Sequence, residues 1–259
     1  MKRLLAIAVI LIFTVGCHHK AHVSSMRQVP AEKEVITQKY SLQPFRSIVL
    51  NGKTTVELVN GSYAASITDA QENLQKYQFN VINHVLHVSA PVSANNTTII
   101  VFAPGLKNIT VTGNATVNAK NFETSGLTIA ARNNGTVNLE GQYVVDKIFQ
   151  RGNGSIDISW INSDNLFIDS HSSGSIYLAG TVNSMVVKLM HNAQFDARYL
   201  RAQKASVFAT DNARADILVL GTLGAFAINN SNIFYHKKPQ SLTVVTKGSG
   251  NVLHSDWVH

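Results

Sequence analysis

Two sets of charged residues recur at spacings that could build a binding or catalytic site. Arg132, Arg151, His171 and His191 follow one another at nearly equal intervals. If the fold stacks residues at that interval, guanidinium and imidazole groups would line one edge and bind phosphate, sulfate or carboxylate groups of an anionic polymer such as a glycan. A solvated corner that tolerates any polar residue explains the same residues without a ligand.

Asp196 and Asp216 form the second set, an acidic pair separated by a similar interval. Glycoside hydrolases of β-helical fold use paired carboxylates, and polysaccharide lyases often add calcium. No base or further ligand set lies near this pair, and no phosphate-binding glycine-rich loop, zinc-ligand cysteine set or nucleophile elbow appears in the sequence. We therefore predict no catalytic residue, no metal and no cofactor.

A repeat of about twenty residues accounts for both spacings. Small residues and Asn precede an apolar anchor residue that returns with a nearly constant period. The anchors are Val117, Val137, Ile156, Ile176, Phe195, Ala215, Ile233 and Val252. This period is too short for paired-helix repeats and fits one coil of a parallel β-solenoid.

Each anchor is preceded, at a distance of eight residues, by a second apolar position. These positions are Ile109, Ile129, Ile148, Ile168, Val187, Val207, Ala225 and Val244. Alternation of apolar and other residues continues around them, which places the apolar side chains on one face of a strand. Stacked coils would join these faces into a continuous interior, and the residue after each anchor would point outward.

Gly, Asn or Ser lies between the two strands of each copy, and these residues tolerate tight corners. An antiparallel sandwich with Asn-Gly hairpins is the competing interpretation, but it predicts irregular strand spacing. We predict an all-β fold, a single parallel β-solenoid with eight to nine rungs of roughly 18 to 20 residues, regular over residues 105–253.

Residues 45–104 are rich in strands but do not follow the repeat. We expect a first coil around Asn51-Gly52 and then β-hairpins that cap the open end, because an exposed coil edge would pair with other chains. Residues 254–259 would form a short C-terminal tail. Phe149, Phe208 and Phe226 lie on an outward row, where they could stack on sugar rings or be buried beneath a loop.

Residues 1–17 have the features of a bacterial lipoprotein signal peptide. A short basic segment precedes an apolar stretch at residues 4–13, which is too short to span a membrane. Gly16-Cys17 resembles a lipobox, in which the cysteine becomes the lipidated first residue. An ordinary secretory signal with an incidental cysteine is the alternative. Because His18 is not the Asp linked with inner-membrane retention, we expect attachment to the outer membrane.

The sequence has 22 basic and 15 acidic residues, a net charge of +7, and cleavage of the signal would remove Lys2 and Arg3 and leave +5. This mild excess could favour anionic partners, but solubility alone explains it, and it indicates no specific nucleic-acid partner. Residues 18–44 are polar without apolar periodicity, so we predict a flexible tether.

Three features resemble the putative auto-transporter adhesin, head GIN domain family of exported bacterial proteins. They are the opening Ile48-Val49-Leu50-Asn51-Gly52, the segment 101–109 that enters the regular coils, and the recurring corner that begins with Gly113-Asn114. The resemblance covers residues 45–252. It implies an adhesive function and supplies no binding residues.

Two functions are open at this stage. The first is a non-enzymatic lipoprotein, exported and lipid-anchored to the cell envelope, which binds a polymer or an envelope protein. The alternative is a polysaccharide-active hydrolase or lyase of β-helical type. A groove with clustered acids would favour the enzyme, whereas flat faces would favour the binding protein.

Overall fold

The computed structural model describes residues 35–90 and 97–255, of which 75% lie in strands and 2% in helix. In chain order the strands are β1 (Val35–Ser41), β2 (Ser47–Asn51), β3 (Thr55–Asn60), β4 (Ala64–Ala70), β5 (Gln78–Ile82), β6 (Val85–Ser89), β7 (Thr98–Ala103), β8 (Leu106–Gly113), β9 (Thr116–Lys120), β10 (Thr124–Asn133), β11 (Thr136–Tyr143), β12 (Val145–Gly152), β13 (Ser155–His171), β14 (Ser175–Met190), β15 (Gln194–Ala209), β16 (Arg214–Asn229), β17 (Asn232–Tyr235), β18 (Ser241–Gly248) and β19 (Asn251–His254). The short helix α1 (Gln71–Leu74) lies between β4 and β5. Within these ranges no helix has the length and hydropathy needed to cross a membrane.

Parallel pairing between successive coils builds the solenoid. β8 pairs with β10, β10 with β12 and β12 with β13, all in parallel. Strands β13 to β16 each run through most of a coil and pair with their neighbours along most of their length. The predicted parallel β-solenoid is therefore confirmed. It has about seven turns, slightly fewer than the predicted eight to nine rungs.

Each coil has three sides. Along β13 the alternation of buried and exposed residues breaks twice, at Ser159-Trp160 and at Asp164-Asn165, where two neighbouring residues are both exposed. We call the strand around Ile168 side A, the strand around Ile156 side B, and the short stretch 161–163 between them side C. A tight corner joins side A of one coil to side B of the next.

The interior includes the two apolar rows that the repeat predicts, except for their last members, because Val244 is exposed and Val252 is only partly buried. The anchors from Val117 to Ile233 and the side A positions from Ile109 to Ala225 are almost completely buried. Burying one such aliphatic side chain stabilises the fold by roughly 1.5–3 kcal/mol. Gln150 is a buried polar exception, and its side chain donates to the Gly154 carbonyl while its oxygen accepts a hydrogen bond from Ser170.

A left-handed residue turns the chain at most corners. Asn133, His191, Asp211 and Asn229 have φ values of 58° to 62°, a conformation in which Asn and Asp are among the least strained residues. Asn side chains beside this position form hydrogen bonds from coil to coil, as in the 3.1 Å bond that Asn212 donates to Asn192. These Asn–Asn hydrogen bonds satisfy polar groups at the corners, where apolar residues would not readily adopt the left-handed conformation.

The N-terminal coils stack out of chain order. β2 pairs with both β6 and β8, and β3 pairs with both β7 and β9. The coil made by β6 and β7 is therefore outermost, although it follows β2 and β3 in the sequence. β1, β4 and β5 form antiparallel pairs at this end. The predicted N-terminal β cap is confirmed, but β6 and β7 also complete a coil, which their alternation alone could not indicate.

The flexible tether predicted over residues 18–44 is wrong in its last part. Val35–Ser41 is strand β1, and it pairs with β4. Ile36 and Tyr40 pack against the core, and the Tyr40 ring lies 4.8 Å from the ring of Phe79. These widely spaced apolar contacts order a segment that is polar in sequence. The signal peptide at residues 1–17 with Cys17, the first part of the tether and the last residues of the predicted tail lie outside the described residues.

Truncation of an inward residue should destabilise the solenoid far more than truncation of its outward neighbour. Ile156→Ala should lower the free energy of unfolding by about 2–5 kcal/mol, because it leaves a cavity in a closely packed interior. Asp157→Ala, one residue further along the same strand and exposed, should change it by less than about 0.5 kcal/mol. Chemical denaturation measures both values, and similar losses would contradict the assigned faces.

Candidate functional site

The structure brings only part of the predicted cationic row into one column. Arg132 lies beside Arg151, and His171 continues this register on the next strand. The residue beside His171 is Met190, because this coil is one residue shorter than the coil between Arg151 and His171. His191 lies one position further, at the left-handed corner. The prediction that all four residues share one row is therefore wrong for His191.

Carboxylates of the protein itself face most of these cationic groups. The Arg151 guanidinium donates to Asp169 at 2.8 Å, and the His171 Nε2 lies 2.7 Å from the other oxygen of Asp169. His191 Nδ1 lies 3.2 Å from Asp211, whose pKa is held below its ordinary value mainly by hydrogen bonds from the His191 backbone N–H and the side chain of Asn229. An anionic ligand at this edge would compete with Asp169 and Asp211.

Asp196 and Asp216 are neighbours on side B, as predicted, but each carboxylate is held by an arginine. Arg198 donates to both oxygens of Asp196, with a shortest distance of 2.6 Å. Arg214 likewise donates to both oxygens of Asp216, at 2.7 and 3.1 Å. The nearly buried His236 adds a contact of 3.0 Å to Asp216. The pair is part of an ion-pair network.

Asp196 lacks the raised pKa that the general acid of a glycosidase needs. Burial raises the pKa of Asp196, but hydrogen bonds from Arg198 outweigh burial and leave the pKa below its ordinary value. A general acid needs the opposite shift, because it must hold a proton near neutral pH. Among the described residues no group of three or more His, Cys, Asp or Glu could hold a metal ion.

Side B instead carries a groove that crosses several coils. Its central depression, about 250 Å³ in volume, is lined by Asp157, Ser159, Tyr177, Ala179, Asp196 and Tyr199, together with backbone around Ile158 and Leu178. It shares Asp157 and Ser159 with a depression of about 720 Å³ towards Asn118 and Asn138. It shares Tyr177 and Asp196 with a third, of about 220 Å³, towards Arg214. We call these three depressions the side B groove.

The register of the strands explains the shape of the groove. One outward column places Asp157, Tyr177 and Asp196 on three successive coils. A second column, at the bend between sides B and C, places Ala179 beside Tyr199. On the other side of Ala179 the register is irregular, because Ser159 and Trp160 together lie between Ile158, which pairs with Leu178, and Ile161, which pairs with Gly180. Of these two residues, Ser159 lines the groove, and the small side chains of Ser159 and Ala179 leave a depression beside Tyr177 and Tyr199.

The groove combines aromatic rings with hydrogen-bonding groups. Tyr177 and Tyr199, which line the groove, are 46% and 62% exposed, although large aromatic side chains usually contribute to the core. Trp160, at the bend that follows Ser159, is 45% exposed. Asp157 is exposed and forms no ion pair with any other described residue. Exposed rings beside carboxylate and amide groups can bind a ligand that offers both apolar faces and hydroxyl groups.

The phenylalanine row on side A packs mainly against itself. Phe208 stacks on Phe226 with ring centroids 4.4 Å apart and planes 7° apart. Phe149 contacts Phe167 at 6.0 Å, and the Lys188 ammonium lies 5.7 Å from the centre of the Phe167 ring. These rings stabilise successive coils on a flat face, which forms none of the described depressions.

A separate depression of about 480 Å³ lies where the N-terminal cap meets the regular coils. Its lining includes Arg46, Lys107 and Glu123, with Tyr63 as its aromatic residue. The two cationic groups and one carboxylate are not repeated on the following coils. The side B groove is the stronger candidate site because it extends across several coils and concentrates exposed aromatic rings.

A family model described as "Putative auto-transporter adhesin, head GIN domain" matches residues 44–239. The chain belongs to this family. The match covers the N-terminal cap and nearly all of the solenoid, and it confirms the resemblance found in the sequence. This head GIN domain is adhesin-like, which supports a non-enzymatic binding role and an exported or cell-envelope location. No protein of curated function matches the sequence.

Solved structures share the fold of this head GIN domain. A putative adhesin from Parabacteroides distasonis ATCC 8503 is 19% identical with a TM-score of 0.75, over 86% of this chain and 98% of that one. A putative lipid binding protein from the same organism is 18% identical with a TM-score of 0.73, over 85% and 96%. A putative adhesin from Parabacteroides merdae ATCC 43184 is 19% identical with a TM-score of 0.71, over 86% and 96%. At these identities the likeness shows the fold alone.

Several residues of the site are not among those predicted from the sequence. Arg198 and Arg214 lie two residues from the aspartates that they bind, and period-two alternation places such neighbours on the same face of a strand. That signal was present in the sequence. Tyr199 lies where the alternation breaks at a bend, and the repeat does not predict this bend.

The ion pair at Asp196 should make the stability of the head GIN domain depend on acid pH. Because the folded-state pKa of Asp196 is lowered, its ionisation stabilises the fold above the ordinary pKa of an aspartate, and this contribution disappears as pH falls through the folded-state value. The difference in unfolding free energy between wild type and Asp196→Asn should therefore be largest at pH 6 and shrink below about pH 4.

Asp157→Asn is the matched control, since Asp157 lies on the same outward column without an ion pair to another described residue. Chemical denaturation between pH 2 and pH 7 measures both differences. A constant difference for Asp196→Asn across this range would contradict the assigned ion pair.

Proposed function

We propose that this head GIN domain is a non-enzymatic binding protein of the cell envelope whose side B groove holds an uncharged, hydroxyl-rich polysaccharide. The observation that carries the proposal is the exposure of two aromatic rings, Tyr177 and Tyr199, in one groove. Flat rings of this kind stack on the apolar faces of sugar rings, while carboxylate and amide groups accept and donate hydrogen bonds to hydroxyl groups.

The repeat of the solenoid suits a linear polymer. Equivalent positions recur about every 4.8 Å along the stack, so a chain of similar units can meet a similar surface on each coil. The outward column from Glu57 through Asn118 and Asn138 to Asp157 offers hydrogen-bonding groups on four neighbouring strands. An extended glycan chain would place several units in contact at once.

Charge favours an uncharged polymer over an anionic one in this groove. Glu57 and Asp157 face the groove without an ion pair to other described residues, and the carboxylate of Asp196 is balanced by Arg198. An anionic chain would be repelled by the first two groups. The proposal therefore differs from the anionic ligand that the sequence predicted for the corner, where Asp169 and Asp211 already face the cationic groups.

The name of one structural neighbour, a putative lipid binding protein, supplies a second ligand class to test. A long acyl chain needs an apolar cavity, whereas the side B groove exposes carboxylate and amide groups. This chemistry supports a polysaccharide, and a fatty acid belongs in the experiment as a comparison.

Substitutions in the groove should weaken glycan binding without loss of the fold. Tyr199→Ala removes one exposed ring and should cost about 1 kcal/mol or more, roughly a fivefold to tenfold rise in Kd. Ala179→Trp should abolish binding, because it fills the depression between Ser159 and Tyr199. The measurement is a screen of neutral glycans, anionic glycans and fatty acids, followed by calorimetric titration of the best ligand.

Phe208→Ala is the matched control, because it removes a partly exposed ring from side A. It should leave the Kd unchanged. Binding that survives Ala179→Trp but is lost in Phe208→Ala would move the site to side A. The wild type could instead prefer anionic glycans and lose this binding in the double variant Arg132→Ser/Arg151→Ser. That result would place the binding site at the cationic corner.

We also propose that Cys17 carries the lipid that attaches the protein to the envelope, most simply to the outer membrane. The lipobox-like Gly16-Cys17 supports this proposal, and Cys17 is the only cysteine in the sequence. Metabolic labelling with a fatty acid should mark the wild type, and Cys17→Ser should release an unlabelled protein into the soluble periplasmic fraction. An unlabelled wild type would contradict lipid attachment.

A further inference from the structure

The C-terminal end of the solenoid exposes residues at positions that are buried in earlier coils. Leu242 and Val244 lie on inward rows of side A, yet they are 39% and 45% exposed. Their partners on the preceding coil, Leu223 and Ala225, are completely buried. All eight residues of β18 are exposed. The interior of the solenoid therefore reaches the surface at this end.

The same end presents an unpaired strand edge. Among the described strands, β18 pairs only with β16 and β19 pairs only with β17. The opposite end differs, because β1, β4 and β5 form antiparallel pairs there. A long, apolar edge with free backbone groups is a template for strand pairing, and natural proteins usually cover or charge such an edge. β18 carries a single charged residue, Lys247, near its end.

We propose that this end is a self-association surface, at which two copies of the chain meet end to end about a twofold axis and β18 pairs antiparallel with β18 of the second copy. The antiparallel strands at the N-terminal end do not continue the parallel coils, so the contact proposed is between two C-terminal ends. Such a contact uses the same surface on both copies and closes after two. It would continue the β-ladder and bury Leu242 and Val244.

Side-chain alternation fixes the register of this pairing. Inward residues must face inward residues, which places Val244 opposite Val244 of the second copy and Leu242 opposite Thr246. Ser241 then faces Lys247, and the two Lys247 residues lie roughly 20 Å apart, further than a Debye length at physiological salt. The register joins apolar groups at its centre and does not place like charges opposite each other.

Lys237 and Lys238 are exposed in the loop before β18 and add positive charge to both copies. Their repulsion acts mainly through solvent, so added salt should strengthen the association. This salt dependence is the reverse of that expected for an acidic partner at the same edge.

The experiment uses the full chain with Cys17→Ser, so that a lipid cannot drive association. Sedimentation velocity should give twice the monomer mass. Val244→Lys should reduce the mass to that of a monomer, because two ammonium groups would meet on the axis. Val245→Lys is the matched control, because Val245 is also 45% exposed but points outward on the same strand. The Val245→Lys variant should remain a dimer.

Two further variants test the symmetry and guard against misfolding. Val244→Glu alone should be monomeric, while a mixture of Val244→Glu and Val244→Lys should restore a dimer. Val244→Cys should form a disulfide between two copies, because antiparallel partners lie within the reach of a disulfide, and Val245→Cys should not.

A wild type that is monomeric, with no cross-link at Val244→Cys, would overturn the proposal. In that case, a Val244→Cys thiol that reacts rapidly only after deletion of residues 256–259 would assign the surface to the chain's own last residues. The variants that test glycan binding lie in the side B groove, and those that test self-association lie on β18. The glycan proposal and the self-association proposal can therefore fail independently.

Discussion

Parallel strand pairing from coil to coil is the constraint on which the rest of the molecule depends. A parallel ladder satisfies the backbone of each coil only through its two neighbours, so one coil has no stable form by itself. The same pairing fixes which residues lie above one another, for example Ile156 above Val137 and below Ile176. The apolar interior, the Asn ladder and every outward column follow from this register.

The candidate site follows from the same register and from the two bends in each coil. Where β13, β14 and β15 bend after side B, the small residues Ser159 and Ala179 lie beside Tyr199, and this difference in size leaves a depression. Asp196 and Asp216, in contrast, form ion pairs with Arg198 and Arg214. Stacking thus gives charged columns in which residues neutralise one another, next to two tyrosine rings that stay open to solvent.

The fold could be predicted from the sequence because the repeat determines most of it. Residues such as Ile109 and Val117 return with a nearly constant period, and this period determines the parallel stacking and the inward rows. It could not predict that β6 and β7 form the outermost coil, since their alternation does not identify a pairing partner. Nor could it predict β1, which is ordered by contacts of Tyr40 with distant residues.

The candidate site was harder to predict than the fold, because it depends on single-residue changes in strand register. One coil is shorter than its neighbour by a single residue, and this difference shifts His191 out of the column of His171. The period of the repeat varies by about one residue throughout, so the sequence does not show which coil is the shorter one. Ion pairs between Asp196 and Arg198, or Arg214 and Asp216, follow from alternation and could have been predicted. The groove could not, because it results from bends at residues that do not follow the repeat.

The central claim, that a polysaccharide lies along the side B groove, is tested most directly by the fluorescence of a tryptophan introduced at position 199, which lines the groove. The sequence contains two tryptophans, so Tyr199→Trp in a chain that also carries Trp160→Phe and Trp257→Phe leaves a single emitter. Titration of the best-binding neutral glycan should change the emission from position 199, with a midpoint that equals the calorimetric Kd. Calorimetric binding that leaves this emission unchanged would contradict a ligand in this groove.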